Sequence, residues 1–313
     1  MTKGSIVRHF TTHDALLWPD GVGVTIGIGV ICERGDCIVI GSDMRASYGT
    51  EPEIIGPNDQ CGKVFRLAPF PTIACVAGRM SECHAVVSQI CNSVRKLRQR
   101  RDIGREHVMN IIDEARKREL RLIYSWTLTT KLGISLHDWV RGEVPGGKLD
   151  KLILRAGVNF LKDAPLRVEL IVGGFMRRRT MFFRAVQKNR LEEESSPGVY
   201  VIGTGQRHAM RVLNRRGQHF GMSLSRTLLH VHEAMIAARK EQTVGPATSY
   251  IVMRKHVPEL LYLPTTSPTL DSWKRAYRER PNTASLDDSR VAGMQIYQQL
   301  RYLKISKKDT VAR

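Results

Sequence analysis

No apolar run in this chain approaches the roughly 18–20 residues that a bilayer-spanning helix requires, which excludes an integral helical membrane protein. The opening stretch "MTKGSIVRHFTTHDALLWPD" has a Lys but no continuous apolar segment and no small-residue cleavage pattern. It does not read as a secretory signal. No Cys-x-x-Cys pair and no tight Cys/His spacing occurs, so the common zinc and thiol-redox motifs are missing. All six cysteines, Cys32, Cys37, Cys61, Cys75, Cys83 and Cys91, fall in the first third. Several occupy strand-like or helix-like apolar positions, where a reduced thiol behaves as a small hydrophobe. A cytoplasmic, reduced protein is therefore expected. Acidic residues are short as well: 30 Asp and Glu against 49 Lys and Arg leave a formal charge of +19. That excess suits a polyanionic partner, either nucleic acid or an acidic protein face. The basic residues are scattered over "RKLRQRRDIGR", "EARKRELR", "FMRRRTMFFR", "LNRRG" and "KRAYRER", as on solvated helix faces and turns. No zinc finger, RNA-binding aromatic strand or Gly-rich KH loop accompanies them, so a basic nucleic-acid-associated protein is the weaker reading.

What is present is globular in character, with 42% hydrophobic and 25% charged residues over 313 positions, enough for one large domain or two ordinary ones. "VGVTIGIGVIC" and "DCIVIGSD" are β-rich runs joined by "ERGD", which predicts a hairpin. "KVFRLA" and "PTIACVAG" predict a second strand pair. From Ser81 the period becomes helical, with Cys83, Val86, Val87, Ile90, Val94 and Leu97 on one face. A second helix is expected to carry Val108, Ile111, Ile112, Ala115, Leu122 and Trp126 on one side. The stretch "TLTTKLGISLHDWVRGEVPGGKLDKL" is less regular and reads as part of an inserted helical segment, about residues 117–163. Strands return in "RVELIVGGF", "TMFFRAV" and "GVYVIGTG". Two more helices follow, near Arg207 and over "SLSRTLLHVHEAMIAARKEQ", the latter striped by Leu224, Leu228, Val231, Met235 and Ala238. "TSYIVMRKH" and "ELLYLP" predict the closing strands. Consecutive hairpins alternating with consecutive helix pairs predict an α+β fold rather than βαβ units. Residues 265–313 are Pro/Ser/Thr-rich, then weakly amphipathic and basic, and read as a C-terminal extension. His230 and His232 stand two apart on a helix and face different ways, which argues against a metal site.

At the end of its second strand the chain reads "GSDMRASYG", followed by "GKVFRL" and "IACVAGRMSECHAVV". This ordered set resembles the β-type proteasome subunits and their bacterial relatives among the N-terminal nucleophile (Ntn) hydrolases. In that family an Asp-x-Arg follows the second strand, a Lys opens the next, and Ala-Gly leads into the first long helix. "VIGTGQRHAMRVL" resembles the family's Gly-Ser/Thr-Gly stretch, and "AARKEQTVGPATSYIVM" the end of its fourth helix. The likeness spans residues 22–264. It implies a four-layer αββα sandwich, two antiparallel sheets flanked by helix pairs, and a domain at 25–264 preceded by a leader at 1–24.

The resemblance also implies chemistry. Thr25, the hydroxyl residue of "GVGVTIGIG", would be the nucleophile once residues 1–24 are removed. A Thr hydroxyl needs an adjacent base. A terminal amine, with a pKa of about 8, accepts the proton when a neighbouring cation keeps it neutral. Lys63 would be that cation and Asp43 would hold it charged. Gly78 N–H would donate to the oxyanion. Arg45 would brace the turn, and Thr204 and Glu241 would supply an outer polar shell. The implied activity is threonine-type hydrolysis of peptide (amide) bonds inside a self-assembled homo-oligomeric ring, acting on a peptide or protein substrate without a cofactor.

Blander readings stand beside these. Thr25 is also an ordinary strand threonine, Asp43 and Lys63 also make a structural ion pair at a strand end, and Gly78 also permits a strand-to-helix turn. Val24 stands where self-processing members of the family carry Gly. This favours a second reading, a catalytically silent subunit of the same fold that serves in assembly.

Overall fold

A computed structural model describes residues 26–43, 63–67, 72–96, 104–176, 179–186, 190–193 and 198–263. The first apolar run forms β1 (Ile26–Cys32), which pairs antiparallel with β2 (Cys37–Asp43) as the hairpin signal predicts. Between them Glu33 and Arg34 adopt left-handed φ values of 51° and 59°. Such conformations cost roughly 1–3 kcal/mol in a residue with a Cβ. They are held from outside, because Glu33 N–H donates to Met222 O and Arg34 N–H to Phe220 O, both at 2.8 Å. The Glu33 carboxylate also meets Arg254 at 2.9 Å.

β3 (Val64–Arg66) and β4 (Thr72–Gly78) form the second pair. Helices α1 (Met80–Lys96) and α2 (Arg105–Leu132) follow. The stretch that reads as irregular is in fact ordered: α3 (Leu136–Arg141), a small hairpin of β5 (Glu143–Val144) and β6 (Gly147–Lys148), and α4 (Lys151–Lys162). Its order comes from caps. Ser135 Oγ accepts from Asp138 N–H at 3.0 Å, and Asp150 Oδ1 accepts from Leu152 N–H at 2.6 Å, satisfying first-turn donors that helices otherwise leave open. Then come β7 (Val168–Met176), β8 (Arg179–Val186), β9 (Arg190–Glu193) and β10 (Val199–Gly203). Helices α5 (Gln206–Arg215) and α6 (Leu224–Ala238) lead to β11 (Thr248–Arg254) and β12 (Val257–Leu263).

The strands assemble into two five-stranded antiparallel sheets, ordered β10-β1-β2-β11-β12 and β3-β4-β7-β8-β9. The fold is therefore α+β. Three apolar clusters account for its cohesion. One joins the first sheet to α5 and α6 through Ile26, Ile28, Val30, Leu228, Val231 and Met235. A second joins the other sheet to α1 and α2 through Val76, Val86, Ile90, Ile112, Val172 and Phe183. The third lies between the sheets and contains Ile38, Ile40, Ile73, Cys75, Ile171 and Phe182. The alternation in "IGIGV" follows directly: its large residues face the helices, and its glycines face the other sheet. A Cβ on Gly27 would come within 2.6 Å of Cys75 Sγ, so close stacking of the sheets requires glycine there.

One expected stripe is corrected. On α2, Val108, Ile112 and Ala115 are buried, but Leu122 is 56% and Trp126 60% exposed. The heptad-like spacing continues, but its partner does not. At 1.5 Å per residue, α2 with 28 residues outruns α1 with 17. Past that point α2 buries Thr127 and Leu128 instead, and its neighbours there are α3 and α4. At about 100° per residue, Leu128 stands on a different face from Ala115. The His230 and His232 reading is sharpened: His230 Nδ1 meets Gln218 Oε1 at 2.8 Å and His232 Nδ1 meets Tyr250 Oη at 2.7 Å, each within the packed interior. Cys32, Cys37, Cys75 and Cys83 are fully buried free thiols, and Cys91 is half-buried; Cys61 lies outside the described residues. No helix among the described residues is long and apolar enough to cross a membrane.

Candidate active site

β2 is the middle strand of its sheet and ends in Asp43, whose side chain is swallowed by the junction of both sheets (1% exposed). Its Cα partner is Thr248 on β11, while the preceding Ser42 pairs with Gly27 on β1. A carboxylate in such a place must find donors, and the described residues supply three. Oδ1 accepts from Lys63 Nζ at 2.9 Å and from Ile26 N–H at 3.0 Å; Oδ2 accepts from Gly245 N–H at 3.0 Å. Lys63 is 3% exposed and sits immediately before β3, where its carbonyl accepts from Val76 N–H of β4 at 2.9 Å. The lysine is thus anchored to the second sheet by its backbone and tied to the first by its ammonium.

Removing either ion from water carries a penalty of several kcal/mol, which the pair recovers only with close geometry and further hydrogen bonds. Both conditions are met at Asp43. The ammonium and the first amide of β1 therefore share one carboxylate oxygen. Ile26 N is bonded covalently to the carbonyl carbon of Thr25. Thr25 itself, Val24 and Arg45 lie outside the described residues, as do the segments 1–24 and 265–313.

Gly78 closes β4 with φ +124°, a region closed to residues with a Cβ, and a Cβ there would collide with the Arg167 carbonyl oxygen. That oxygen accepts instead from Arg79 N–H at 2.9 Å, and Glu82 completes the corner by accepting from Arg167 N–H at 2.7 Å. Gly78 lies two residues beyond Val76, which bonds Lys63, so it stands roughly 7 Å further along the strand. Thr204 is exposed one residue past Gly203, the register partner of Ile26, and its hydroxyl meets that of Thr243 at 3.2 Å. The Glu241 side chain is turned towards α5, where its carboxylate meets His208 Nε2 at 3.1 Å. From Glu241 the chain returns to the centre, because Val244 N–H donates to Glu241 O at 3.0 Å and Gly245 N–H reaches Asp43.

Four participants were not legible as site residues. Ser42 Oγ donates to Asp43 O at 3.0 Å. Gly245 supplies its amide. Glu169 accepts from Gly203 N–H at 2.8 Å, tying β10 to the second sheet. Cys75 lies in the wall beside Lys63 and Ser42, its thiol pushed up to about 12 by burial and only partly lowered by the Ser42 hydrogen bond and the ammonium. Such a thiol stays protonated and inert, and its place on β4 opposite Gly27 marks it as packing. The sole signal for Cys75 in the sequence is the alternation of "IACVAG", and for Gly245 the turn chemistry of "TVGP".

The arrangement can fix a lysine side chain, bonded to its carboxylate, beside the first residue of β1. Both oxygens of Asp43 are taken up by N–H donors, and among the described residues no group of three or more His, Cys, Asp or Glu stands together to hold a metal ion. No protein-family model matches this chain, and no curated protein matches it significantly.

Proposed function

We propose that the chain is a threonine-type Ntn hydrolase with the four-layer αββα architecture of proteasome β-like subunits, cleaving peptide bonds by acyl transfer through Thr25. The observation that carries the reading is the shared Asp43 oxygen, which holds Lys63 Nζ and Ile26 N–H, one peptide bond from Thr25. Helix pairs on the outer faces of two stacked sheets support the fold part of the reading.

With residues 1–24 removed, Thr25 has a free α-amine next to its hydroxyl. Oγ attacks the substrate carbonyl carbon while its proton passes to the amine, and the ammonium of Lys63 disfavours a second positive charge on that amine. Gly78 N–H donates to the oxyanion, a contribution of a few kcal/mol in comparable sites. The adduct collapses as the C–N bond breaks and the amine returns its proton to the leaving group, leaving an ester on Thr25. Water then cleaves the ester, restoring the hydroxyl and releasing a carboxylate. The cellular setting that fits is a homo-oligomeric ring in the cytoplasm.

Intact-mass measurement of purified protein tests this directly. Loss of residues 1–24 and a covalent adduct of a β-lactone or epoxyketone on Thr25, absent in Thr25→Ala, are expected. A product that retains Met1 and ignores both electrophiles rejects the catalytic reading. Val24 favours that second outcome, a silent subunit used in assembly, for which Thr25→Ala leaves any cellular phenotype intact.

A further inference from the structure

Beyond the end of β10, one face of α5 borders a cleft of about 820 Å³. Its walls include Gly203 and Thr204, where β10 leaves its pairing with Ile26, and then Arg207, Met210, Arg211 and Asn214. Positions 207, 210, 211 and 214 form a single stripe by helical spacing, so the cleft runs away from the candidate active site along α5. Arg207 and Arg211 are exposed, and neither forms an ion pair with a described residue. Several other charged groups nearby have partners. Arg216 pairs with Glu233, Glu241 meets His208, and Glu169 is engaged by Gly203 N–H. The first turn of α5 has no side-chain cap, which leaves the partial positive charge of the helix N-terminus at the same end. Arg207 and Arg211 therefore bring to the cleft positive charge that no described residue pairs, with Met210 between the two guanidinium groups in sequence.

We propose that this cleft receives the acidic side chains of an extended peptide substrate, an assignment that rests on the hydrolase reading above. The spacing points to a pattern. Residues four apart on a helix are separated by about 6 Å along its axis, and same-face side chains two apart on an extended peptide by about 6.6 Å. Arg207 and Arg211 thus match two carboxylates in an acidic-x-acidic segment, with the intervening backbone crossing Met210. Guanidinium groups bind carboxylates in a planar fork, which adds orientation to charge.

The test uses full-length Thr25→Ala, so that the probe is not consumed, and two fluorescein-labelled decapeptides that differ only as Glu-x-Glu against Gln-x-Gln. Fluorescence anisotropy is expected to give about tenfold tighter binding of the Glu peptide at low salt, the sum of two exposed charge pairs. This preference collapses in R207Q/R211Q and at high salt, and R207E/R211E favours a Lys-x-Lys peptide. Equal affinity for the Glu and Gln peptides, a preference that survives R207Q/R211Q, or no measurable binding of either peptide overturns the assignment. The two readings fail separately. Acidic preference in binding with no electrophile adduct on unmutated protein removes the hydrolase and keeps the cleft, whereas hydrolysis without charge preference does the reverse.

Discussion

Replacing Asp43 by Asn strips the charge from the most heavily used acceptor in the candidate active site and leaves its shape. The wild-type carboxylate takes Lys63 Nζ, Ile26 N–H and Gly245 N–H at 2.9–3.0 Å with both ionic partners nearly inaccessible to water. The substituted amide keeps one acceptor oxygen for the three described donors, so the buried ammonium loses the Asp43 charge and at least one N–H points at an amide nitrogen. Breaking a buried ion pair from one side costs about 3–5 kcal/mol. With a urea slope of about 2–3 kcal/mol/M, the unfolding midpoint should fall by about 1–2.5 M at fixed protein concentration. Lys63→Met should cost less, because Asp43 keeps both backbone donors. Asp43→Asn combined with Lys63→Met should recover part of the loss, with a coupling of about 1–3 kcal/mol in the double-mutant cycle. Urea titrations of the four proteins by circular dichroism supply the numbers. Additive losses, or an Asp43→Asn midpoint within experimental scatter of wild type, would refute the claim that this pair fastens the two sheets together.

Gly78→Ala forces a Cβ into the Arg167 carbonyl at φ +124°, and a loss of about 3 kcal/mol or more is expected in thermal unfolding; a wild-type melting curve contradicts the geometry. Glu119 is raised to about 7, chiefly by burial and then by Glu82. The folded state then holds a proton that the unfolded state has released, so this group erodes stability as pH rises from about 4.5 to 7 and not further above. Glu119→Gln should consequently gain on wild type at pH 8 and match it near pH 4, which denaturation at the two pH values reads out. Ellman's reagent followed by peptide mapping should modify Cys91 well before Cys32, Cys37, Cys75 or Cys83, since those four thiols are sealed in the core; early labelling of Cys75 contradicts its place behind Lys63. Trp126→Ser, at a side chain 60% exposed, should move stability by less than about 0.5 kcal/mol, and a larger loss implies that α2 is covered there.

The elements themselves were legible because each depends on neighbours in sequence. The continuous apolar run that opens "CIVIGSD" marks a strand buried on both faces, and period 3.6 from Cys83 to Val94 marks the buried face of a helix, whatever lies opposite. The misread stripe on α2 shows the boundary of that logic. Leu122 and Trp126 keep the rhythm of Val108 and Ala115, yet rhythm says nothing about where the partner helix stops. The segment at about 117–163 reads as helical, but its division into α3, the β5–β6 hairpin and α4 was not legible, because short capped helices carry little periodicity.

What the sequence determined alone was therefore the α+β class, the order of the principal strands and helices, and the presence of Asp43, Lys63 and Gly78 at element ends, since local sterics and hydrophobic period act within a few residues. Only the tertiary structure decided that one carboxylate would gather Lys63 from 20 positions away and Gly245 from 202, and that Glu241 would turn to His208. Those meetings depend on sheet register and on how closely two sheets stack, which glycines such as Gly27 permit but no local pattern specifies.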